Sequence, residues 1–312
     1  MHRRDFLSHA AALGAAAVPA RAFAQPGAGP QTAPAPRAGG EPARPAPAGL
    51  TLPVRVGMTD WNLGRRGDIT RIALARELGL DGIQVSLTFP TDGSPHLRQP
   101  ETQVAFKREA LAHGIQICSL AIGNPGKSRL PFHTNPASAV LLVEAVEVAR
   151  NLGTTDILLP ILGDSHIDMT SQAQIDTFVA MMKEVARYAE KAGVVIALED
   201  WISAEDNIRL LDAIGSDHVG VYYDARNIKS RLHDPYGEPA KLGKRIDQIH
   251  VKNGQKLLGE PELLDWPRLA QEYVDIGYRG WYVLESGSPT GDFVADTKSN
   301  IAYVRKTFRM PA

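Results

Sequence analysis

The run Val194-Val-Ile-Ala-Leu-Glu199-Asp200 decides the fold. Five consecutive apolar residues, three of them β-branched, predict a short strand buried on both faces, as parallel sheets require. The run follows a helical stretch closed by Lys191-Ala-Gly193 and ends on two carboxylates. A Glu at the C-terminal tip of such a strand is not ordinary surface decoration. The pattern then recurs three times: Val219-Gly-Val-Tyr-Tyr-Asp224 ends on Asp, Ile246-Asp-Gln-Ile-His250 on His, and Trp281-Tyr-Val-Leu-Glu285 on Glu. These tips are spaced 25, 26 and 35 residues apart, with helix-compatible sequence between them. Four successive strands therefore deliver one metal-type ligand each at the same end.

Working outward, strand-like runs at 54–61, 82–89, 115–122 and 155–162 precede these four. Helical runs at 68–79, 101–113, 137–152, 172–192, 204–214, 239–245, 266–276 and 293–308 alternate with the strands. Asp68 is expected to cap the first helix, and Gly79 to stop it. Eight βα units in roughly 260 residues predict an α/β fold of the (β/α)8 TIM-barrel type, a single domain over 51–312. A doubly wound open sheet is disfavoured, because no glycine fingerprint follows the first strand.

The 312 residues are 44% hydrophobic and 22% charged, enough for a sizeable core. The net charge of −1 conceals a split: residues 1–24 carry +2 and 25–50 carry +1, leaving 51–312 at −4. An acidic body offers no footprint for nucleic acid. Cys118, the one cysteine, has no intrachain disulfide partner and reads as a small buried residue.

The N-terminus reads as an export signal. Arg3-Arg4-Asp5-Phe6-Leu7 opens it, the Ala-rich stretch 10–18 follows, and Ala22-Phe23-Ala24 gives a small-x-small cleavage site. It resembles a twin-arginine signal, whose pattern is two arginines, one variable residue, then Phe-Leu. A membrane anchor would need roughly 20 apolar residues, and this run is too short and too weakly apolar. Residues 25–50 hold seven Pro, seven Ala and five Gly, a composition expected to form a disordered tether. The expected organisation is thus signal 1–24, linker 25–50 and barrel 51–312.

In a TIM barrel, functional groups collect at the C-terminal ends of the strands. Glu199, Asp224, His250 and Glu285 fall there on strands five to eight, where four adjacent tips can face one ion. Three carboxylates and one imidazole form a hard donor set suited to Mn²⁺ or Mg²⁺, with Co²⁺ or Zn²⁺ also compatible. Singly, each has a bland reading as a strand-end turn residue or a satisfied core side chain. Together they point to a metal.

Leu198-Glu199, Tyr223-Asp224, His250-Val-Lys252 and Leu284-Glu285 resemble the xylose-isomerase-like TIM barrels, specifically the sugar phosphate isomerase/epimerase group, over about 52–310. The ketose 3-epimerases are the nearest mechanistic template. The resemblance implies that Glu199, Asp224, His250 and Glu285 bind one divalent ion, Mn²⁺ foremost, and that Glu199 and Glu285 also serve as acid/base residues on opposite faces of the sugar. Two positions depart from the pattern: Asn227 stands where ketose epimerases have His three residues after the Asp, and Asn253 where many members have Asp after His-x-Lys. The missing His also argues against apurinic-site endonucleases, whose three-zinc cluster needs additional His ligands.

Chelation of a carbonyl and its adjacent hydroxyl stabilises an enediolate, while one carboxylate removes the neighbouring proton and the other can return one. The expected function is a sugar isomerase or epimerase working through a metal-bound enediolate. A 3-keto-glycoside lyase or hydratase shares the first step, and a non-catalytic exported sugar-binding protein is the reading from another class. At the same mouth Trp61, His166, Trp201, Arg226 and Lys252 are candidate substrate-binding residues, with Asn62, His96 and His133 nearby; His113 and His218 belong to the far side. The implied partners are a small carbohydrate and the twin-arginine export machinery, with a periplasmic or otherwise exported location. No nucleic acid and no stable membrane insertion after cleavage are expected, and an oligomer is left open.

Overall fold

The quoted run forms a strand, Val195–Glu199, paired on both sides by parallel neighbours. It is the fifth of eight in the computed structural model, which describes residues 51–90, 92–123, 138–231, 233–261 and 264–311. The expected signal, the tether and His133 lie outside these residues. The strands are β1 (Val56–Thr59), β2 (Gly82–Leu87), β3 (Gln116–Ile122), β4 (Asp156–Pro160), β5 (Val195–Glu199), β6 (Val219–Tyr223), β7 (Ile246–Val251) and β8 (Tyr282–Leu284). Each pairs in parallel with its neighbours in the chain, and β1 closes the barrel against β8 through Val56–Tyr282 and Met58–Leu284. The expected (β/α)8 architecture is what the chain adopts.

The crossovers are helical: α1 (Arg71–Leu78), α2 (Pro100–His113), α3 (Ser138–Leu152), α4 (Gln172–Ala192), α5 (Ala204–Ile214), α6 (Ala225–Ser230), α7 (Glu238–Leu242), α8 (Trp266–Asp275) and α9 (Phe293–Thr307). Side chains alternate across each strand, so one set packs under the helices and the other fills the lumen. Ile196 and Leu198 of β5, Ile249 and Val251 of β7, and Tyr282 and Leu284 of β8 join the core beneath the helices. Fully burying each such side chain stabilises the fold by about 1.5–3 kcal/mol. Cys118, Ala197, Tyr222, Trp281 and Val283 form a separate packed cluster with Trp61 against it. Cys118 is buried, and burial pushes its thiol up to about 12, as the inert reading requires.

The differences from the sequence reading are local. α1 begins at Arg71, because Asp68 closes a turn onto Thr70 N (3.0 Å) instead of capping the helix. β1 stops at Thr59 and leaves Trp61 in the following turn. α6 was not expected; at six residues it is too short to show a helical period, and Asp224 itself caps it. The helix expected over 239–245 divides into α7 and a 3-10 turn, Gly243–Arg245. Thr51–Leu52 pairs antiparallel with Met310–Pro311, tying the two ends of the domain together. No helix among the described residues is long and apolar enough to cross a membrane.

Candidate active site

Strand alternation puts the four tip residues on the lumen face: Glu199 is in phase with Ala197, Asp224 with Tyr222, His250 with Gln248, and Glu285 with Val283. One ligand-type atom from each of Glu199, Asp224, His250 and Glu285 lies within 4.8 Å of the others. His250 is the hub. Its Nδ1 is 3.1 Å from Glu199 Oε1, 3.5 Å from Glu285 Oε2 and 3.8 Å from Asp224 Oδ2. Its Nε2 faces away, 3.1 Å from Gln84 Oε1.

Asp224 divides its two oxygens between structure and site. Oδ1 accepts from the backbone N–H groups of Arg226 (2.9 Å) and Asn227 (3.0 Å), which starts α6. Oδ2 is buried without a well-formed hydrogen bond, and the Lys252 ammonium, 2.7 Å away, is the nearest charge that offsets it. That same ammonium lies 2.6 Å from Glu285 Oε2. Asn227 Nδ2 donates to Glu199 Oε1 (3.0 Å) and Trp61 Nε1 to Glu285 Oε1 (3.2 Å). Both glutamates are thus held by neutral donors on one side.

The electrostatics follow from burial among like charges. Burial pushes the Asp224 carboxyl up, with Glu199 and Glu285 adding to it against Lys252 and His250. Burial disfavours a charged His250, but Glu199, Glu285 and Asp224 prevail and hold the imidazole above its ordinary value. Burial likewise opposes the Lys252 charge, and Asp224 and Glu285 overcome it, raising the ammonium far above its ordinary value. The cluster attracts cations. Three carboxylates, one imidazole and an under-bonded Asp224 oxygen fit a divalent ion of the oxygen-seeking class.

The other candidate residues separate into groups. Trp61 stands edge-on to His250 (centroids 6.2 Å apart), and the Arg66 guanidinium covers its ring at 4.0 Å. Lys252, expected to meet substrate, reaches Asp224 and Glu285. Trp201 donates to His166 Nδ1 (2.7 Å) and lies under the Arg231 guanidinium (3.7 Å), so this pair lines a cavity of about 270 Å³ with Arg231 and His233. Each tryptophan therefore offers at most one ring face to a sugar. Arg226 Nε is buried with no acceptor. Asn62 Oδ1 approaches Thr59 Oγ1 (2.8 Å), closing the turn that carries Trp61. Asn253 donates to the Leu257 and Glu260 carbonyls and shapes the loop after β7. His113 pairs with Glu109 and His218 with the Val194 carbonyl, both away from the cluster, as expected of structural histidines.

Several residues of the site were not singled out in the sequence. Asp60 accepts from Gly67 N (2.7 Å), Ser86 N (2.7 Å) and Ser86 Oγ (2.6 Å), anchoring the turn of Trp61, and burial raises its carboxyl. Asp200, the second carboxylate of the opening run, turns away from the cluster to accept from Ile202 N and Asn207 Nδ2 (both 3.1 Å), and burial pushes it up to about 7. Gln84 and Tyr222 lie beneath His250. The available signal was the polar pair Gln84 and Ser86 within the apolar run Gly82–Phe89.

Comparison with known proteins agrees with this architecture. The xylose isomerase-like TIM barrel family matches residues 72–307. A D-psicose 3-epimerase of Enterocloster bolteae is 26% identical over 130 residues, which are 39% of this chain and 43% of that protein, less than half of the relative's length. Among solved structures, D-psicose 3-epimerase from Clostridium cellulolyticum H10 superposes with a TM-score of 0.68 at 15% identity, covering 81% of this chain and 99% of that one. A 3-keto-D-glucoside 4-epimerase from E. coli gives 0.67 at 13% identity, covering 81% and 99%. At these identities the structures speak for the fold. The family match spans most of the chain and takes in all four tip residues: the chain belongs to the xylose isomerase-like TIM barrel family.

Proposed function

We propose that this chain is a divalent-metal-dependent sugar isomerase or epimerase that abstracts a proton next to a carbonyl and works through an enediolate. The observation that carries the reading is the paired glutamates. Glu199 and Glu285, from the two ends of the β5–β8 arc, approach the same imidazole nitrogen at 3.1 and 3.5 Å. Two carboxylates so placed serve as base and acid on either face of a bound sugar. Glu199, Asp224, His250 and Glu285 are the proposed ligands, with Mn²⁺ first and Mg²⁺, Co²⁺ or Zn²⁺ as alternatives. A bound ion supplies Lewis-acid polarisation of the carbonyl and its adjacent hydroxyl. Trp61 orients Glu285 through its indole N–H, Asn227 orients Glu199, and Lys252 neutralises charge between Asp224 and Glu285. Trp61, His166, Trp201, Arg226 and Lys252 are the proposed sugar contacts. The names of the relatives, sugar epimerases, support the substrate class.

A 3-keto-glycoside lyase or hydratase is the second reading. Lys252 favours it: an ammonium 2.6 Å from Glu285 is a fixed positive charge beside the base, suited to stabilising the negative charge on a departing oxygen. The N-terminal Arg3-Arg4-Asp5-Phe6-Leu7 and Ala22-Phe23-Ala24 support twin-arginine export to the periplasm, where free sugars and glycosides outnumber sugar phosphates. The test is deuterium uptake from D₂O by the Mn²⁺-loaded protein with ketoses, aldoses and 3-keto-glycosides, followed by mass spectrometry. Metal-dependent uptake beside a carbonyl is expected, and the labelled product separates epimerase from lyase. No uptake from any of these sugars, with Mn²⁺ bound, would remove the acid/base roles and leave a sugar-binding protein.

A further inference from the structure

Beneath the carboxylates lies a second polar layer, wholly enclosed. Gln84, Ser119, Tyr222 and His250, from β2, β3, β6 and β7, are each 0–1% exposed. Gln84 Nε2 donates to Ser119 Oγ (2.8 Å) and Tyr222 Oη (2.9 Å), and its Oε1 accepts from His250 Nε2 (3.1 Å). The Tyr222 ring also packs on the imidazole, with centroids 4.5 Å apart. This amide orientation places both N–H groups on hydroxyl oxygens. Reversed, the amide would lose its two donations to hydroxyl oxygens and turn an N–H toward the His250 nitrogen. The amide oxygen can only accept. A singly protonated His250 therefore keeps its hydrogen on Nε2, and the Nδ1 lone pair faces Glu199, Asp224 and Glu285.

We propose that Gln84, locked by Ser119 and Tyr222, is a positioning residue that makes His250 a metal ligand through Nδ1, by fixing both the tautomer and the ring angle. The inference rests on the metal reading above and adds a residue that reaches His250 on the side away from the carboxylates. Gln84 needs all three partners: without Ser119 and Tyr222 to hold its amide end, the carbonyl would be free to turn from the imidazole. The arrangement follows the general rule that a ligating histidine is oriented by the acceptor on its other nitrogen, whose loss costs 10–100-fold in metal affinity.

The test is Mn²⁺ affinity, by calorimetry, of the full chain and of Gln84→Met and Gln84→Glu, with thermal melts of each without metal. Met matches the length of Gln but offers only a weakly accepting thioether, and is expected to weaken binding by about 10–100-fold while the fold survives. Glu still accepts from His250 Nε2, and the Ser119 and Tyr222 hydroxyls can turn to donate to its other oxygen, so it should recover most of the affinity. A residue that merely fills the lumen would give the opposite order, with apolar Met better than a buried carboxylate. Wild-type affinity in Gln84→Met, or Glu weaker than Met, would overturn the proposal. A measurement independent of any variant is the ¹⁵N spectrum of histidine-labelled, Mg²⁺-loaded protein. The expected result is a hydrogen on His250 Nε2; a hydrogen on Nδ1 would sink the idea. Failure of the wild-type chain to bind Mn²⁺ would remove the metal reading and this inference together, whereas an unchanged Gln84→Met removes this inference alone.

Discussion

The two ends of the barrel both bury carboxylates and handle them in opposite ways. At the mouth, Glu199, Asp224 and Glu285 converge on one imidazole and one ammonium. At the floor, Asp156 takes a hydrogen bond from Thr155 Oγ1 (2.7 Å), and Asp247 sits with Oδ2 buried and unpartnered. Burial raises both floor carboxyls, Asp247 far more, with Asp156 adding to it. At the floor the Trp281 ring lies where a Cβ on Gly82 would approach it at 2.8 Å, and Arg55 covers Trp281 at 4.9 Å. At the floor, burial raises carboxyls that have no cation within ion-pair distance among the described residues; at the mouth, several acids share cations. A buried acid alone does not make a site. Convergence of several ligand-type groups on one point does.

The sharpest way to break this comparison is to neutralise one acid at each end. Glu199→Gln and Glu285→Gln should each lower metal-dependent deuterium exchange by about 10²–10⁴-fold, the usual worth of a positioned acid or base. Asp156→Asn at the floor should leave the exchange rate unchanged. Equal losses at both ends would erase the distinction.

Metal linkage gives the next largest effect. Mn²⁺ at a hundred times its Kd should stabilise the wild-type chain by about 2.7 kcal/mol in thermal or denaturant unfolding. Asp224→Asn should lose most of that gain, whereas Asp247→Asn should keep it. A gain that survives Asp224→Asn would place the ion elsewhere.

Crowding at the floor is tested by Gly220→Ala. A Cβ there would lie 1.7 Å from Asp247 Oδ2 and 2.9 Å from the Arg245 carbonyl oxygen. Side chain and backbone must both shift, at a cost of about 1–3 kcal/mol in unfolding free energy, with Mn²⁺ affinity unaltered. Combining Gly220→Ala with Asp247→Ala should recover part of the loss, since the removed carboxylate is the closest obstacle.

The smallest and most diagnostic effect is a pH slope. Because the Asp247 pKa is raised in the fold, the unfolded chain releases this proton above about pH 4 while the folded chain retains it. Stability from this group therefore falls as pH rises from about 4 towards the folded value. Asp247→Asn removes the slope, so the variant should gain on wild type as pH rises above about 4 in denaturant titrations. A pH-independent difference would mean that the floor carboxyl titrates normally.

The sequence by itself determined the strand order, every helix but α6, the barrel, and the four residues at the tips of β5 to β8. These are local properties: apolar period, β-branching and the residue that ends each strand are all read along a few neighbouring positions. It also placed Trp61 and Lys252 at the mouth as candidate substrate contacts, without their bonds to Glu285. Tertiary structure alone decided that Trp61 bonds Glu285 across 224 residues, that Gln84 meets Tyr222 across 138 and His250 across 166, and that Arg66 and Arg231 lie over the two tryptophans. Only the closed barrel brings strands distant in the chain to one lumen, so hydrogen bonds across it leave no periodic trace in the chain. A polar residue in an apolar strand shows that a partner exists; which partner it has depends on how the strands tilt and close.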